Sequence, residues 1–252
     1  MSPSKPIAPQ LNRRLSITDG LLGAWPMWER GGAAHNSAVN RHHAALLSGA
    51  AWGAGERGIL LDTSTAGAAV PNDVGLQPTQ FSAAVLARHF TSGEQEGGQM
   101  IIDYGRESQA LSWQIRLDGN SLQFIVVLVT ANASSSISRN DFMPEGQWTL
   151  IVGTHQNTVN VFYTNGIQRD TDAGTGAIDY TGLTRDLTFG SQFNGSNAFA
   201  GEIAFGAYWD RVLSASEVLN LYRDPFAMFR ARRRVVKAPG GIVVLRRRRE
   251  CA

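Results

Sequence analysis

Hydrophobic and polar positions alternate with a period of two over most of the chain, which predicts half-buried strands rather than helices. The clearest stretches run from Phe81 to Phe90, Gln99 to Tyr104, Ala110 to Leu117, Ser121 to Thr130 and Thr158 to Tyr163. Leu187 to Gly190 reads as a short strand closed by glycine. In the last strand candidate Ile203, Phe205, Ala207 and Trp209 fall on one face, and Gly206 leaves room for a neighbouring backbone. Turn chemistry punctuates the strands. Asp118-Gly119-Asn120-Ser121 sits between Leu117 and Leu122, and Asn165-Gly166 is a hairpin pair whose residues tolerate positive φ. Ala131 to Ser138 reads as a small-residue loop with an exposed tip. One helix is signalled. Ser214 and Glu217 form a capping box, Val218, Leu221 and Tyr222 an apolar face, and Pro225 the stop. The first ordered element spans Gly20 to Glu29, and no repeat of roughly 20–50 residues is visible.

Composition narrows this further. The 252 residues, 43% hydrophobic with 27 glycines, fit one large turn-rich β domain. Cys251 is the single cysteine, so no intrachain disulfide can form. No apolar run approaches about 18 residues, so membrane insertion is not expected. The opening MSPSKPIAPQLNRR lacks a hydrophobic signal core, so synthesis in a cytoplasm without classical export is expected. Charge divides the chain. From Arg230 onward nine basic residues stand against Glu250, a tail of +8, whereas the rest carries 14 basic and 20 acidic residues, a body of −6. Three parts follow: an arm over residues 1–18, a domain over 19–229 and a basic tail over 230–252. Within the tail Ile242, Val243, Val244 and Leu245 form a short β-type run fenced by Arg232, Arg233 and Arg234 before it and Arg246, Arg247, Arg248 and Arg249 after it. Such a run can add to the edge of a partner's sheet, with the arginines on acidic neighbours.

The order of motifs carries a resemblance. Trp148 and Val152-Gly153-Thr154 are followed by Tyr163-Thr164-Asn165-Gly166, then Leu187-Thr188-Phe189-Gly190, Phe199-Ala200-Gly201-Glu202-Ile203 and Tyr208-Trp209-Asp210-Arg211-Val212-Leu213-Ser214. Together with Gly20 to Trp25 and Ala51-Trp52-Gly53, this is similar to the concanavalin A-like lectin/glucanase superfamily, of the laminin-G/pentraxin type. The resemblance implies an all-β jelly-roll sandwich of two antiparallel sheets, one short helix near 214–223 and an extended basic tail. The ending Leu221-Tyr222-Arg223-Asp224-Pro225-Phe226-Ala227-Met228-Phe229, with basic residues after it, resembles lectin-like structural proteins of bacteriophages.

Candidate chemistry is sparse. Glycosidases of this architecture carry a Glu-x-Asp-x-x-Glu strand whose two carboxylates work together, and the chain has none. Glu94 with Glu96 and Asp170 with Asp172 read as solvated loop residues. The histidines His35, His42, His43, His89 and His155 lack metal spacing, and no nucleophile elbow, P-loop or dinucleotide fingerprint occurs. Relatives often bind calcium through an acidic loop; here that loop, Ser191 to Ala198, contains no carboxylate, so no metal ligand is assigned and no cofactor is expected. Asn72-Asp73 and Asp118 with Asn120 read as turn residues. Trp25, Trp113, Trp148 and Trp209 lie in strand patterns and read as core, whereas Trp28 and Trp52 border loops and are the candidate ligand-stacking residues.

The functional expectation is a non-catalytic structural or adhesion protein, a virion component that docks onto other virion proteins through its tail within an oligomeric assembly. The alternative is a carbohydrate-binding module for attachment to cell-surface glycan; a glycoside hydrolase ranks below both. Weak, salt-sensitive nucleic-acid binding by the tail is a side property.

Overall fold

The computed structural model describes residues 11–29, 31–34, 42–53, 58–61, 66–90, 98–105, 112–119, 121–128, 134–140, 143–157, 159–173, 176–192, 194–229, 235–238 and 241–244. The strands are β1 (Leu21–Trp25), β2 (Ala45–Leu46), β3 (Ala50–Trp52), β4 (Ile59–Leu61), β5 (Ala68–Val70), β6 (Phe81–His89), β7 (Gln99–Tyr104), β8 (Trp113–Asp118) and β9 (Ser121–Val127). They continue as β10 (Ser134–Asn140), β11 (Trp148–Gln156), β12 (Val159–Thr164), β13 (Ile167–Asp172), β14 (Leu187–Phe189) and β15 (Gly201–Trp209). Helix α1 (Ala215–Arg223) follows, then β16 (Val235–Ala238) and β17 (Gly241–Val244).

Two antiparallel sheets face each other in a jelly-roll sandwich. The back sheet runs β13-β12-β11-β6-β15-β4-β3, with β1 also on β15; the front sheet runs β10-β9-β8-β7-β14-β5-β2. Their inner faces bury one apolar core, including Phe81, Trp113, Phe124, Phe162 and Tyr208. Trp113 stacks on Tyr208 with centroids 5.2 Å apart and lies 4.9 Å from Phe81. Such pairs add about 0.5–1.5 kcal/mol each beyond area burial.

The hairpin signals behave as their chemistry requires. Asn165 and Gly166 both take positive φ, 51° and 77°, as a two-residue primed turn demands. Leu117 faces Leu122 across the β8–β9 hairpin. Three expectations change. Ala131 to Ser138 was expected to be a loop, yet Ser134–Asn140 pairs along β9 as an edge strand. Backbone pairing and one plug, Ile137 at 2% exposure, suffice where serine-rich sequence gives no periodic signal. In β15 a bulge between Ile203 and Phe205 breaks the expected common face. Ile203 enters the inter-sheet core, whereas Phe205, Ala207 and Trp209 do not. What approaches Gly206 is a ring and not a backbone: a Cβ there would lie 2.4 Å from Phe189 Cε1.

Phe205 and Trp209 instead belong to a second apolar cluster on the outer face of the back sheet, with Leu86, Leu150, Val218, Leu221, Phe226, Met228 and Phe229. The capping box at Ser214 and Glu217 starts α1 where Val218 and Leu221 meet this face. Residues 11–18 lie over the same cluster through Leu11 and Ile17. Asn12 N–H donates to Met228 O at 2.6 Å, and Trp209 Nε1 to Ile17 O at 2.7 Å. Arg211 fastens the roof. Its guanidinium donates to Ser16 O, to Asp19 O and to both Glu217 carboxylate oxygens at 2.7–2.9 Å. The Arg211 hydrogen bonds hold the Glu217 carboxyl down at about 2.

In the tail, β17 pairs with β16 of the same chain, so Ile242, Val243 and Val244 already have Lys237, Val236 and Val235 as partners. Arg232, Arg233, Arg234, Leu245 and Arg246 to Arg249 lie outside the described residues. No helix among the described residues is long and apolar enough to cross a membrane.

Candidate functional site

The two tryptophans singled out for stacking are both half-buried. Trp28 is held edge-on against Phe229 at 5.4 Å, within the back-sheet roof. Trp52 lies on β3, the last strand of the back sheet, and its Nε1 donates to Gly32 O at 3.2 Å. Trp25, Trp113 and Trp209 are fully buried as expected. Trp148 is not core: it is half-buried on the outer face of the back sheet. There the Arg88 guanidinium lies 5.1 Å from its ring and 5.0 Å from that of Phe90, and pairs with Glu202.

The remaining polar candidates have structural partners or positions. Asp170 and Asp172 lie on edge strand β13 and not in a loop, and Asp170 pairs with Arg139. Asp73 accepts from Gly75 N–H, a turn role, whereas Asn72 ties distant segments together, accepting from Tyr104 Oη at 2.6 Å and donating Nδ2 to Leu183 O at 3.0 Å. His155 is buried with Nδ1 2.7 Å from Asn160 Oδ1; desolvation pushes the pKa of His155 and of His89 down. In the 191–198 loop Ser196 Oγ lies 2.9 Å from Gln192 Oε1 and 2.6 Å from Asn194 Oδ1, and its single proton serves one of these acceptors at a time. Glu94 and Glu96 lie outside the described residues. Among the described residues no three His, Cys, Asp or Glu side chains converge.

The outer face of the front sheet stands apart. In β14, β7 and β8 the residues flanking Thr188, Asp103 and Gln114 all enter the inter-sheet core. Alternation therefore turns these three polar side chains to the opposite face. The ladder aligns them: Thr188 opposes Asp103, and Asp103 opposes Gln114. Asp103 is 1% exposed, and Gln114 and Thr188 are 0% exposed. The Thr188 hydroxyl donates to Ser191 O at 2.5 Å. Asp103 Oδ1 and both Gln114 side-chain atoms, Oε1 and Nε2, have no hydrogen-bond partner. Desolvation raises the Asp103 carboxyl to about 8, so it is protonated at neutral pH. An acid that is neutral and dry beside an unpaired amide can donate and accept hydrogen bonds, but it offers no anionic nucleophile.

Asp103 and Gln114 do not form the carboxylate pair of a glycoside hydrolase. Two carboxylates must stand ~5 Å apart for retention or ~6.5–9.5 Å apart for inversion. Burial alone accounts for the elevated Asp103 pKa, with no like-charged neighbour contributing. On the same face of β8, Asp118 lies four residues beyond Gln114, roughly 13 Å at the strand rise, and it is paired with Arg116 at 3.2 Å. Sequence reasoning missed Asp103 and Gln114. The available signal was a carboxylate inside the apolar run Met100 to Tyr104, and a Gln114 held between Trp113 and Ile115, which belong to the inner face.

Three comparisons with known proteins bear on this geometry. The family model of the concanavalin A-like lectin/glucanases superfamily matches residues 62–219. No curated protein matches the chain. Among solved structures, the binding domain of Paraclostridial Mosquitocidal Protein 1 is similar with a TM-score of 0.66 and 15% identity, over 82% of this chain and 52% of that one. The receptor binding domain of botulinum neurotoxin D aligns with a TM-score of 0.65 and 13% identity, over 90% and 57%. That of type G aligns with a TM-score of 0.61 and 17% identity, over 81% and 51%. The chain thus spans about half the length of these structures, and at such identity they share its fold.

Proposed function

The chain belongs to the concanavalin A-like lectin/glucanase superfamily, and from that premise we propose that it is a non-catalytic carbohydrate-binding module that attaches to cell-surface glycan. The observation that carries this reading is the lectin-like sandwich, which the family model matches over residues 62–219. The solved structures it resembles are binding and receptor-binding domains, which agrees in kind. Nothing in this contact set calls for a metal, since the 191–198 loop supplies hydroxyls and amides without a carboxylate. Of the two candidate tryptophans, Trp28 and Trp52, Trp52 is the better stacking residue because Trp28 is engaged with Phe229. A glycan array probed with the full chain tests the reading. Saturable binding without release of reducing ends supports it; turnover of a polysaccharide, or silence across the array, refutes it.

A second reading places the module in a virion, with the tail as its docking element. The β16–β17 hairpin favours it, because this two-stranded sheet pairs with neither sheet of the sandwich and an isolated hairpin is marginal in water. Removing residues 230–252 should then abolish incorporation into particles while leaving the sandwich folded. Normal incorporation of the shortened chain would exclude tail docking.

A further inference from the structure

The roof over the back sheet is not closed throughout. Where the arm meets the end of α1, Leu15, Ile17, Leu221 and Met228 wall a cavity of about 170 Å³ that opens to solvent. An apolar cavity of about 150 Å³ accepts a guest the size of benzene, so this one has room for one branched aliphatic side chain. Its ionisable lining is acidic: Glu217 and Asp224 take part, and no described residue lining it is a cation. Both oxygens of Glu217 are taken up by Arg211. Asp224 is the cap residue at the C-terminal end of α1. That is the negative end of the helix macrodipole, so two sources of negative potential coincide there. Arg223 is the one cation of the last turn, and its position is exposed. The guest that suits such a place is an aliphatic side chain with cations beside it.

The chain carries such a segment. Leu245 is followed by Arg246, Arg247, Arg248 and Arg249, within a tail of +8 that faces a body of −6. The β16–β17 pairing decides its reach. Fifteen residues separate Phe229 from Leu245 along the chain. Val235 faces Val244, however, so ten of the fifteen, 235–244, fold back on themselves. The five residues Arg230 to Arg234 are left to span the gap, and at ~3.5 Å per residue they reach up to roughly 20 Å. Met228, next to Phe229, is itself a wall of the cavity. Leu245 is therefore tethered within reach of the cavity of its own chain. A short tether holds its guest at an effective concentration on the order of millimolar, so a contact that would be weak between separate molecules is well populated. The arm's own aliphatic residue near a cation, in Lys5-Pro6-Ile7, brings one charge where the tail brings four.

We infer that Leu245 docks in this roof cavity of its own chain, with Arg246 to Arg249 set over Asp224 and the end of α1. The tail is then stowed on the domain until a partner that offers more contact draws it out. A partner that binds the free tail sees its affinity lowered in proportion to the fraction of chains whose tail is free. The inference goes beyond the carbohydrate-binding reading and does not depend on it. To the tail-docking reading it adds a competition that any docking partner has to win.

The test uses the full chain with a nitroxide on Cys251, its single cysteine, six residues beyond Leu245. Amide NMR signals of Leu15 to Ile17 and of the C-terminal half of α1 should lose intensity several-fold, whereas those of β8 in the front sheet keep theirs. Leu245→Asp lies in the tail and leaves the sandwich untouched; it should restore most of the lost intensity, and Asp224→Asn a smaller part. No loss at the roof, or equal loss over both sheets, overturns the docking outright. A loss that Leu245→Asp leaves unchanged, and that disappears at high salt, shows charge contact alone and overturns the leucine socket. Mixing isotope-labelled Cys251→Ser chains with unlabelled chains that carry the nitroxide separates one copy from another. Roof signals should stay intact in that mixture; their loss would assign the guest to a second copy and overturn the contact within one chain. Each of these failures leaves the carbohydrate-binding and virion readings standing, because the experiment probes neither.

Discussion

The two sheets turn very different outer faces away from the shared core. The back sheet's outer face is apolar and roofed by the chain's own α1, residues 225–229 and the arm at 11–18, with Trp209 Nε1 and the Arg211 donors satisfied. The front sheet's outer face is equally dry at its middle, yet polar and unsatisfied. Both faces exclude water, and both keep buried polar atoms without a partner, Arg88 Nε on the back sheet and Asp103 Oδ1 with the Gln114 amide on the front. What differs is chemistry: the back face is closed by apolar segments of the same chain, whereas the buried middle of the front face is polar.

Four measurements would break or sharpen this contrast. The largest effect concerns Asp103. Its folded-state pKa of about 8 lies far above the ordinary carboxyl value, so the folded state holds this proton between the two. The stability linked to it is complete below pH ~4 and is lost as pH rises toward 8, at up to ~1.4 kcal/mol per unit. Asp103→Asn should remove that slope in urea titrations at stepped pH; parallel curves for variant and wild type would mean that the carboxyl is not buried as described. Next comes the back face. Phe205→Ala should cost about 3–5 kcal/mol in the same assay, through lost burial and a cavity beside Phe226 and Phe229. A cost under about 1 kcal/mol would show the roof to be loosely packed. Arg211→Ala should cost about 2 kcal/mol and expose the 11–18 segment to limited proteolysis, while glycan affinity stays unchanged. Smallest, and opposite in sign, Gln114→Leu should gain about 1 kcal/mol, because it replaces an unpaired buried amide by an apolar group. A loss of several kcal/mol there would put the front face in the same structural category as the back.

Much of the sandwich was legible because its signals are local. The Asn165-Gly166 turn, the Asp118 to Ser121 turn and the Ser214/Glu217 capping box each depend on residues within a few positions of one another. What stayed hidden depends on register between distant segments. The β15 bulge moves Phe205 and Trp209 to the outer cluster, and no periodicity announces one extra residue. Edge strand β10 is serine-rich and is defined by its neighbour β9. Asp103 was visible as a polar residue in an apolar strand and Gln114 as one of an alternating polar set, but that they oppose each other follows only from the β7–β8 register. Trp148 fits a core pattern and yet sits at the margin of a face, because alternation gives the side of a sheet and not how far its cover extends.

The bond from Asn12 to Met228 has a consequence for how the domain is held. It brings the beginning and end of the described body together on the back sheet's roof, so polypeptide joined at either side departs from one pole. Anything that carries the domain by its ends, whether scaffold, fibre or fusion partner, grips it from behind.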